Sequence, residues 1–564
     1  MPRRDLAAGR YEMFNFRMSP DGPASSGDDV PNDSSTTASV VVGGPTVLSS
    51  IDGVNDTDWF AVNLVAGQSY AFSVVGTGGA PLVDPILYVY IGPGNYISID
   101  DDGGDGVNAM MHFTATQTRT YYLAVGSSDA TSVGSYEISA VVGPPQDPLD
   151  TLDLGFSFHT NAINVYLATT GEQFGPLAAA VRSWTPAELA ALVSALETIS
   201  AVADLSFTIV NTQAEADLTL TLAQLPPGVL GAAFPNPIDG YIVFDPDAPG
   251  WSNSGLQPGG LGYSVIIHEV LHTLGLDHPH YDGFDTQVMQ GVVAPFGSFG
   301  TFELNQQQFT IMSYNDGTPP SFDWGYSAAP MALDIAFLQA LYGANVSRNA
   351  GDSTYQLSDA NAGARYVAIY DTAGTDAITY VGSRDVVIDL RDATLLSEIG
   401  GGGYVSGADN IYGGFTIAHG VVIENASAGA GYDVITGNDV ANVLNGSGGD
   451  NILSGAAGDD TLITEGGGDL LDGGAGNDTM YGGDGDDTYF VDVSGDVVVE
   501  ETNSGNDQVW VSNIHTYIVP ENVERINADV GAYAVIGNGL NNIIGTTAFS
   551  NASPHYFDGG AGAD

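Results

Sequence analysis

His268-Glu269-Val270-Leu271-His272-Thr273-Leu274-Gly275-Leu276-Asp277-His278 places three imidazoles and one acid at spacings that a helix and a turn can bring to one point. Residues four apart share a helix face, so His268 and His272 can offer two nitrogens to a single ion. Glu269 points beside them, near the position of an ion-bound water. Gly275 is expected to end the helix in a backbone conformation that side chains resist. The chain then doubles back and delivers His278 as a third ligand. Three nitrogen donors with an open fourth position describe a catalytic rather than a structural zinc site. Val265, Ile266, Ile267, Val270 and Leu271 supply the core side of this helix, predicted over 264–274. Asp277 and His280 read as supporting or solvated groups.

Working outward, Thr310-Ile311-Met312-Ser313-Tyr314 supplies a Met-turn at a plausible distance downstream. Upstream, Thr185-Pro186-Ala187-Glu188 is a capping box that opens a helix through Ala203. Strands are predicted at Leu205–Val210 and Leu218–Leu222. Residues 150–345 therefore read as a mixed α/β catalytic domain.

A second pattern starts at Ala428 and recurs every nine residues through 490: AGAGYDVIT, GNDVANVLN, GSGGDNILS, GAAGDDTLI, TEGGGDLLD, GGAGNDTMY, GGDGDDTYF. Its sixth position reads Asp433, Asn442, Asn451, Asp460, Asp469, Asp478 and Asp487, and its eighth is apolar throughout. Glycine turns bend sharply and expose carbonyl oxygens, and the apolar eighth residue points into a narrow core. Two repeats make one coil, so the sixth-position side chains stack and can share calcium between turns. A parallel β-roll is expected over 346–490, with the coil bearing Asn442 and Asn451 the weaker binder. Residues 491–564 read as a spacer followed by the start of a second repeat block, with Asp564 at the sixth position of an unfinished repeat and more chain expected beyond it.

The remaining N-terminal part alternates apolar and polar residues: Phe60, Val62, Leu64, then a turn, then Tyr70, Phe72, Val74. An antiparallel β-sandwich is expected over 36–142, followed by the linker GPPQDPLD at 143–150, with a polar flexible leader at 1–35. The sandwich specifies its own core, so it is expected to bind a surface or substrate rather than to complete the zinc site.

At 564 residues the chain is too long for one core. It carries 68 acidic against 11 basic residues, for a net charge of −57. Such a surface disfavours nucleic acid and anionic lipid. There is no cysteine, so bound metal is the available stabiliser for a secreted chain. The N-terminus lacks the apolar run of a Sec signal, and no stretch is long enough to cross a bilayer.

The HExxHxxGLxHP motif with MSY resembles the serralysin family of secreted bacterial zinc metalloproteases, within the metzincin clan. PMALDIAFLQALYGAN (330–345) and IAHGVVIENA (417–426) extend the resemblance. The nonapeptides resemble the RTX repeats of type I secreted proteins, and DTDWFAVNLVAGQSYAFSV resembles the pre-peptidase C-terminal domain, which usually follows a protease rather than preceding it. The resemblance implies zinc on His268, His272 and His278, Glu269 as the base, and Tyr314 as a further ligand that can leave the metal to stabilise the oxyanion. It also implies protein or peptide substrates, the type I secretion machinery as a partner, an extracellular location and a monomer. The competing reading is a calcium-binding adhesin or matrix protein with a vestigial protease domain. The intact Glu269 argues against it.

Overall fold

The computed structural model describes residues 30–562, apart from 32, 95, 101–107, 129–130, 174–178, 237, 282–286, 317–320, 503, 529–533 and 547–555. Most of the expected leader, and Asp564, lie outside the described residues. Two compact units emerge. One runs to Asn345 and takes in Thr394–Gly402, and the other holds Val346–Ala393 and Gly403 onward.

In the first unit, eight strands form two antiparallel sheets. They are β1 (Val47–Ile51), β2 (Asp58–Leu64), β3 (Ser69–Gly76), β4 (Pro85–Tyr90), β5 (Ser98–Asp100), β6 (Ala109–Thr114), β7 (Arg119–Ser127) and β8 (Gly134–Val142), ordered β1-β8-β3-β6 and β2-β7-β4-β5. Alternation makes the core. Phe60, Val62, Leu87 and Leu123 from one sheet meet Phe72, Phe113, Tyr136 and Ile138 from the other.

A five-stranded sheet follows, ordered β10-β9-β11-β13-β12, from β9 (Ala162–Leu167), β10 (Ser206–Val210), β11 (Leu218–Leu222), β12 (Gly231–Phe234) and β13 (Gly240–Phe244). Four of these strands are parallel, and β12 closes the edge antiparallel to β13. Helix α1 (Pro186–Val202) begins on the capping box read from the sequence, Thr185 accepting from the Glu188 N–H and Glu188 from that of Thr185. Helix α2 (Leu261–Thr273) starts three residues before the predicted Ser264. Gly262 falls within the added turn, although glycine weakens helices. It is needed there because a Cβ would lie 2.6 Å from the Gly250 carbonyl oxygen. Helix α3 is Ala332–Tyr342.

The sandwich is tied to the α/β part of the same unit by two buried glutamines. Gln290 pairs its amide with both backbone groups of Thr114, at 2.8 and 3.0 Å, while its own N–H donates to Gln146 Oε1 at 2.7 Å.

The second unit is chiefly a stack of short, mostly parallel strands in two ladders, one of seven strands and one of nine. The eighth-position residues Ile435, Leu444, Leu453, Leu462, Leu471, Met480 and Tyr489 are all fully buried. The nine-stranded ladder runs on through Gln508–Val511, Arg525–Ala528 and Ile543–Thr546. That stretch reads as a spacer because its Gly-Asp turns are lost. Its apolar strand centres persist, with Val509 and Ile526 buried, and they are enough to continue the stack.

Candidate metal centre

Helix α2 packs against β12 and β13 and carries His268, Glu269 and His272. Gly275 follows at φ +105°, and a Cβ there would lie 2.3 Å from the Phe156 carbonyl oxygen, so the reversal that brings back His278 requires glycine. The three predicted histidines meet. His278 Nε2 lies 3.1 Å from His268 Nε2 and 3.0 Å from His272 Nε2.

The tautomers follow from the other ring nitrogens. His268 Nδ1 faces the Ile311 carbonyl at 2.8 Å and His272 Nδ1 the Leu276 carbonyl at 2.8 Å. A carbonyl only accepts, so both Nδ1 atoms carry the proton and both Nε2 lone pairs face His278. Burial pushes His268 down to about 4 and His272 to about 3, which keeps them neutral. Three nitrogens this close, with at most one proton among them, fit a shared cation. A tetrahedral zinc bound at ~2.0–2.1 Å would set them roughly 3.3 Å apart.

Glu269 is buried beside β12. A Cβ on Gly231 would come within 2.7 Å of its Oε1, and the Ala233 N–H donates to it. Burial raises the carboxyl to about 8, against the pull of that hydrogen bond. Tyr314 is half-buried, its ring 4.7 Å from that of His278 and 5.8 Å from that of His268. His280, read as a minor residue, stacks on His278 at 4.9 Å and lies 4.6 Å from Tyr314. Phe296 stacks on Tyr314 from the solvent side, 5.3 Å away and 70% exposed. Asp277 accepts from the His278 N–H at 2.7 Å, and burial raises it to about 7.

One residue went unnoticed in the sequence. Asp334, on the first turn of α3, accepts from Thr310 Oγ1 at 2.6 Å and from the backbone N–H groups of Ile311 and Met331 at 2.8 Å each. It fixes the turn whose Ile311 carbonyl orients His268, and Met312 is fully buried within that turn. Nothing but its place in the PMALDIAFLQ segment could have marked it.

The predicted calcium side chains stack along the other unit. In each coil one carboxylate oxygen accepts the backbone N–H of the coil before. Asp460 takes that of Asn442, Asp469 that of Asn451, Asp478 that of Asp460, and Asp487 that of Asp469, at 2.6–2.8 Å. The second oxygen of Asp433, Asp460, Asp469, Asp478 and Asp487 is buried with no partner in the protein. Asn442 and Asn451 differ, because their amides donate to the carbonyls of Glu424 and Gly449, each at 3.0 Å. Burial raises Asp460 and Asp487 to about 7 and Asp478 to about 6.

Residues 423–453, 436–471 and 463–498 match the RTX calcium-binding nonapeptide repeat. A serralysin from Photorhabdus luminescens is 34% identical over 208 residues, covering 34% of this chain and 40% of that protein. Metallopeptidase AprA from Pseudomonas marginalis is 29% identical over 383 residues, 61% of this chain and 69% of that one. The chain is similar to serralysin-type metalloproteases and carries RTX repeats. Its aligned part spans well under half the length of the Photorhabdus protein. The pre-peptidase C-terminal domain of a Bacillus anthracis collagenase matches at 22% identity, over 18% of this chain and 92% of that domain, with a TM-score of 0.16. Among the described residues no helix is long and apolar enough to cross a membrane.

Proposed function

We propose that the chain is an exported zinc endopeptidase of metzincin type whose roll folds around calcium. The convergence of three Nε2 atoms beside a buried glutamate carries this reading. His268, His272 and His278 hold the zinc, with Tyr314 as a further ligand. Zinc in that position supplies Lewis-acid charge, which acidifies water and polarises a carbonyl. Glu269 takes the proton of the attacking water on a carboxylate oxygen and passes it to the leaving amine. Tyr314 donates from its phenol to the oxyanion of the reacting carbonyl. In the roll, Asp433, Asp460, Asp469, Asp478 and Asp487 hold calcium through their unpartnered oxygens, and Asn442 and Asn451 contribute weakly. Protein or peptide substrates, type I export and an extracellular site of action follow from the family likeness.

Casein or a quenched fluorescent peptide is the test, assayed in saturating calcium with and without 1,10-phenanthroline. Cleavage should stop with the chelator and return on adding zinc, and cleavage indifferent to both would end the zinc reading.

Tyr314→Phe separates binding from turnover. A donor used only in the transition state affects kcat, so the variant should lose ~10-fold or more in kcat with KM little changed. A rise in KM alone would assign Tyr314 to substrate binding instead.

A further inference from the structure

In three of the repeats the opening glycine faces the sixth-position side chain. A Cβ on Gly455 would lie 2.3 Å from Asp460 Oδ2, on Gly473 2.4 Å from Asp478 Oδ2, and on Gly482 2.3 Å from Asp487 Oδ2. In these three repeats the free carboxylate oxygen sits in space that the missing side chain leaves open. One coil after Gly482 the same place holds an acid. Glu500 follows the strand Val497–Val499 as Gly482 follows Thr479–Tyr481. The coil step also lengthens, since Asp487 N–H donates to Asp507 Oδ1 across 20 residues where the preceding coils use 18.

Glu500 brings a third carboxylate to a place that already holds two. Asp487, Glu500 and Asp507 are all buried, and each offers an oxygen within 4.8 Å of the others. Glu500 receives hydrogen bonds from the Tyr489 hydroxyl and, at 2.8 Å, from Ser504 Oγ. Asp487 Oδ2 and Asp507 Oδ2 receive none, although the two residues are only 1% and 0% exposed. Among the described residues no basic side chain pairs with any of the three. Three buried carboxylates without a counter-charge are expensive. An ion of about 2.3–2.6 Å bond length bridges oxygens at this separation, and calcium prefers such carboxylate-rich, irregular shells.

We propose that Asp487, Glu500 and Asp507 form a calcium site of their own, in which Glu500 supplies a ligand that no nonapeptide position provides. Glu500 and Asp507 lie past the repeat match, which ends at 498, while Asp487 lies within it. More ligand charge makes it a tight site, placed where the stack leaves the regular repeat. The inference rests on the calcium reading of the roll and is independent of the zinc centre.

The test uses the full chain, comparing wild type with Glu500→Gln and, as a control, its neighbour Glu501→Gln. Equilibrium dialysis with radioactive calcium should find one tight ion fewer in Glu500→Gln, or that ion weakened ~10-fold or more by the lost charge, and no change in Glu501→Gln. Thermal unfolding gives a second reading. In calcium the Gln variant should melt lower than wild type. In chelator it should melt no lower, because one repelling charge is gone. A purely structural Glu500, serving only Tyr489 and Ser504, would lower stability in both conditions and leave the ion count unchanged, which overturns the proposal. Asp507→Asn trims a different member of the triad and is read by the same criteria if Glu500→Gln does not fold. Wild type that binds no calcium would overturn the repeat reading too. Wild type that binds calcium with an unaltered Gln variant would overturn this site alone.

Discussion

Glu269→Gln should keep its zinc and lose peptide hydrolysis by roughly 10²–10⁴-fold in kcat, the range that general acid–base catalysis supplies. The substitution is isosteric, and the Ala233 N–H that donates to Glu269 can still donate to an amide oxygen. The three imidazoles are held by other means: His268 and His272 by the carbonyls of Ile311 and Leu276, and His278 by the turn at Gly275. Metal content by mass spectrometry should therefore match wild type. His272→Ala removes one of the three converging nitrogens and should lose both zinc and activity. These two variants together separate holding the metal from moving the proton. A Glu269→Gln enzyme that kept most of its turnover would remove Glu269 from the mechanism.

Withdrawing calcium should unfold the nonapeptide coils, the second large effect. Each coil buries one apolar residue per nine and orders several glycines, which lose the most backbone freedom on folding. Against this modest gain stand the buried carboxylates of Asp460, Asp478 and Asp487, raised to about 7, 6 and 7 chiefly by burial. At neutral pH without metal these groups oppose the fold. Each ion bound at a thousandfold over its Kd adds roughly 4 kcal/mol to the folded state. In chelator, amide exchange across 428–490 should accelerate and far-ultraviolet circular dichroism should lose β-signal. Calcium should restore both, while magnesium, which requires a tight octahedral shell, should restore little. Slow exchange in chelator, unchanged by calcium, would contradict the metal-linked folding argued here.

The zinc helix was legible because its chemistry is local. Two histidines one turn apart, a glycine and a third histidine lie within eleven residues, and the structure brings them together as read. The same holds for the capping box at Thr185 and the buried eighth positions of the repeats, which are short-range periodicities. What escaped the reading depends on partners far along the chain. Gly231 and Ala233 form an edge strand over Glu269, yet neither residue type announces a role. Asp334 holds a turn 23 residues before it, and Gln290 reaches Thr114 across 176 residues. Past 490 the sequence reads as a spacer because glycine and aspartate mark the turns, whereas the apolar strand centres continue the ladder.

The hydrogen-bonded side chains of the roll have a direction. Asn442 N–H is taken by Asp460, Asp460 N–H by Asp478, and Asp478 N–H by Asp496, so the acceptor always comes from the coil that follows. The other face obeys the same order through Asp469, Asp487 and Asp507, and Glu524 takes the Asp507 N–H at 2.9 Å. No coil is complete by itself, since each leaves a buried donor open until its successor docks. A stack built this way resembles a zipper whose slider starts at the carboxyl end. Its last coil needs a terminator that is not another repeat, and cutting the chain within it would expose one unpaired donor on each face and fray the coils in reverse order.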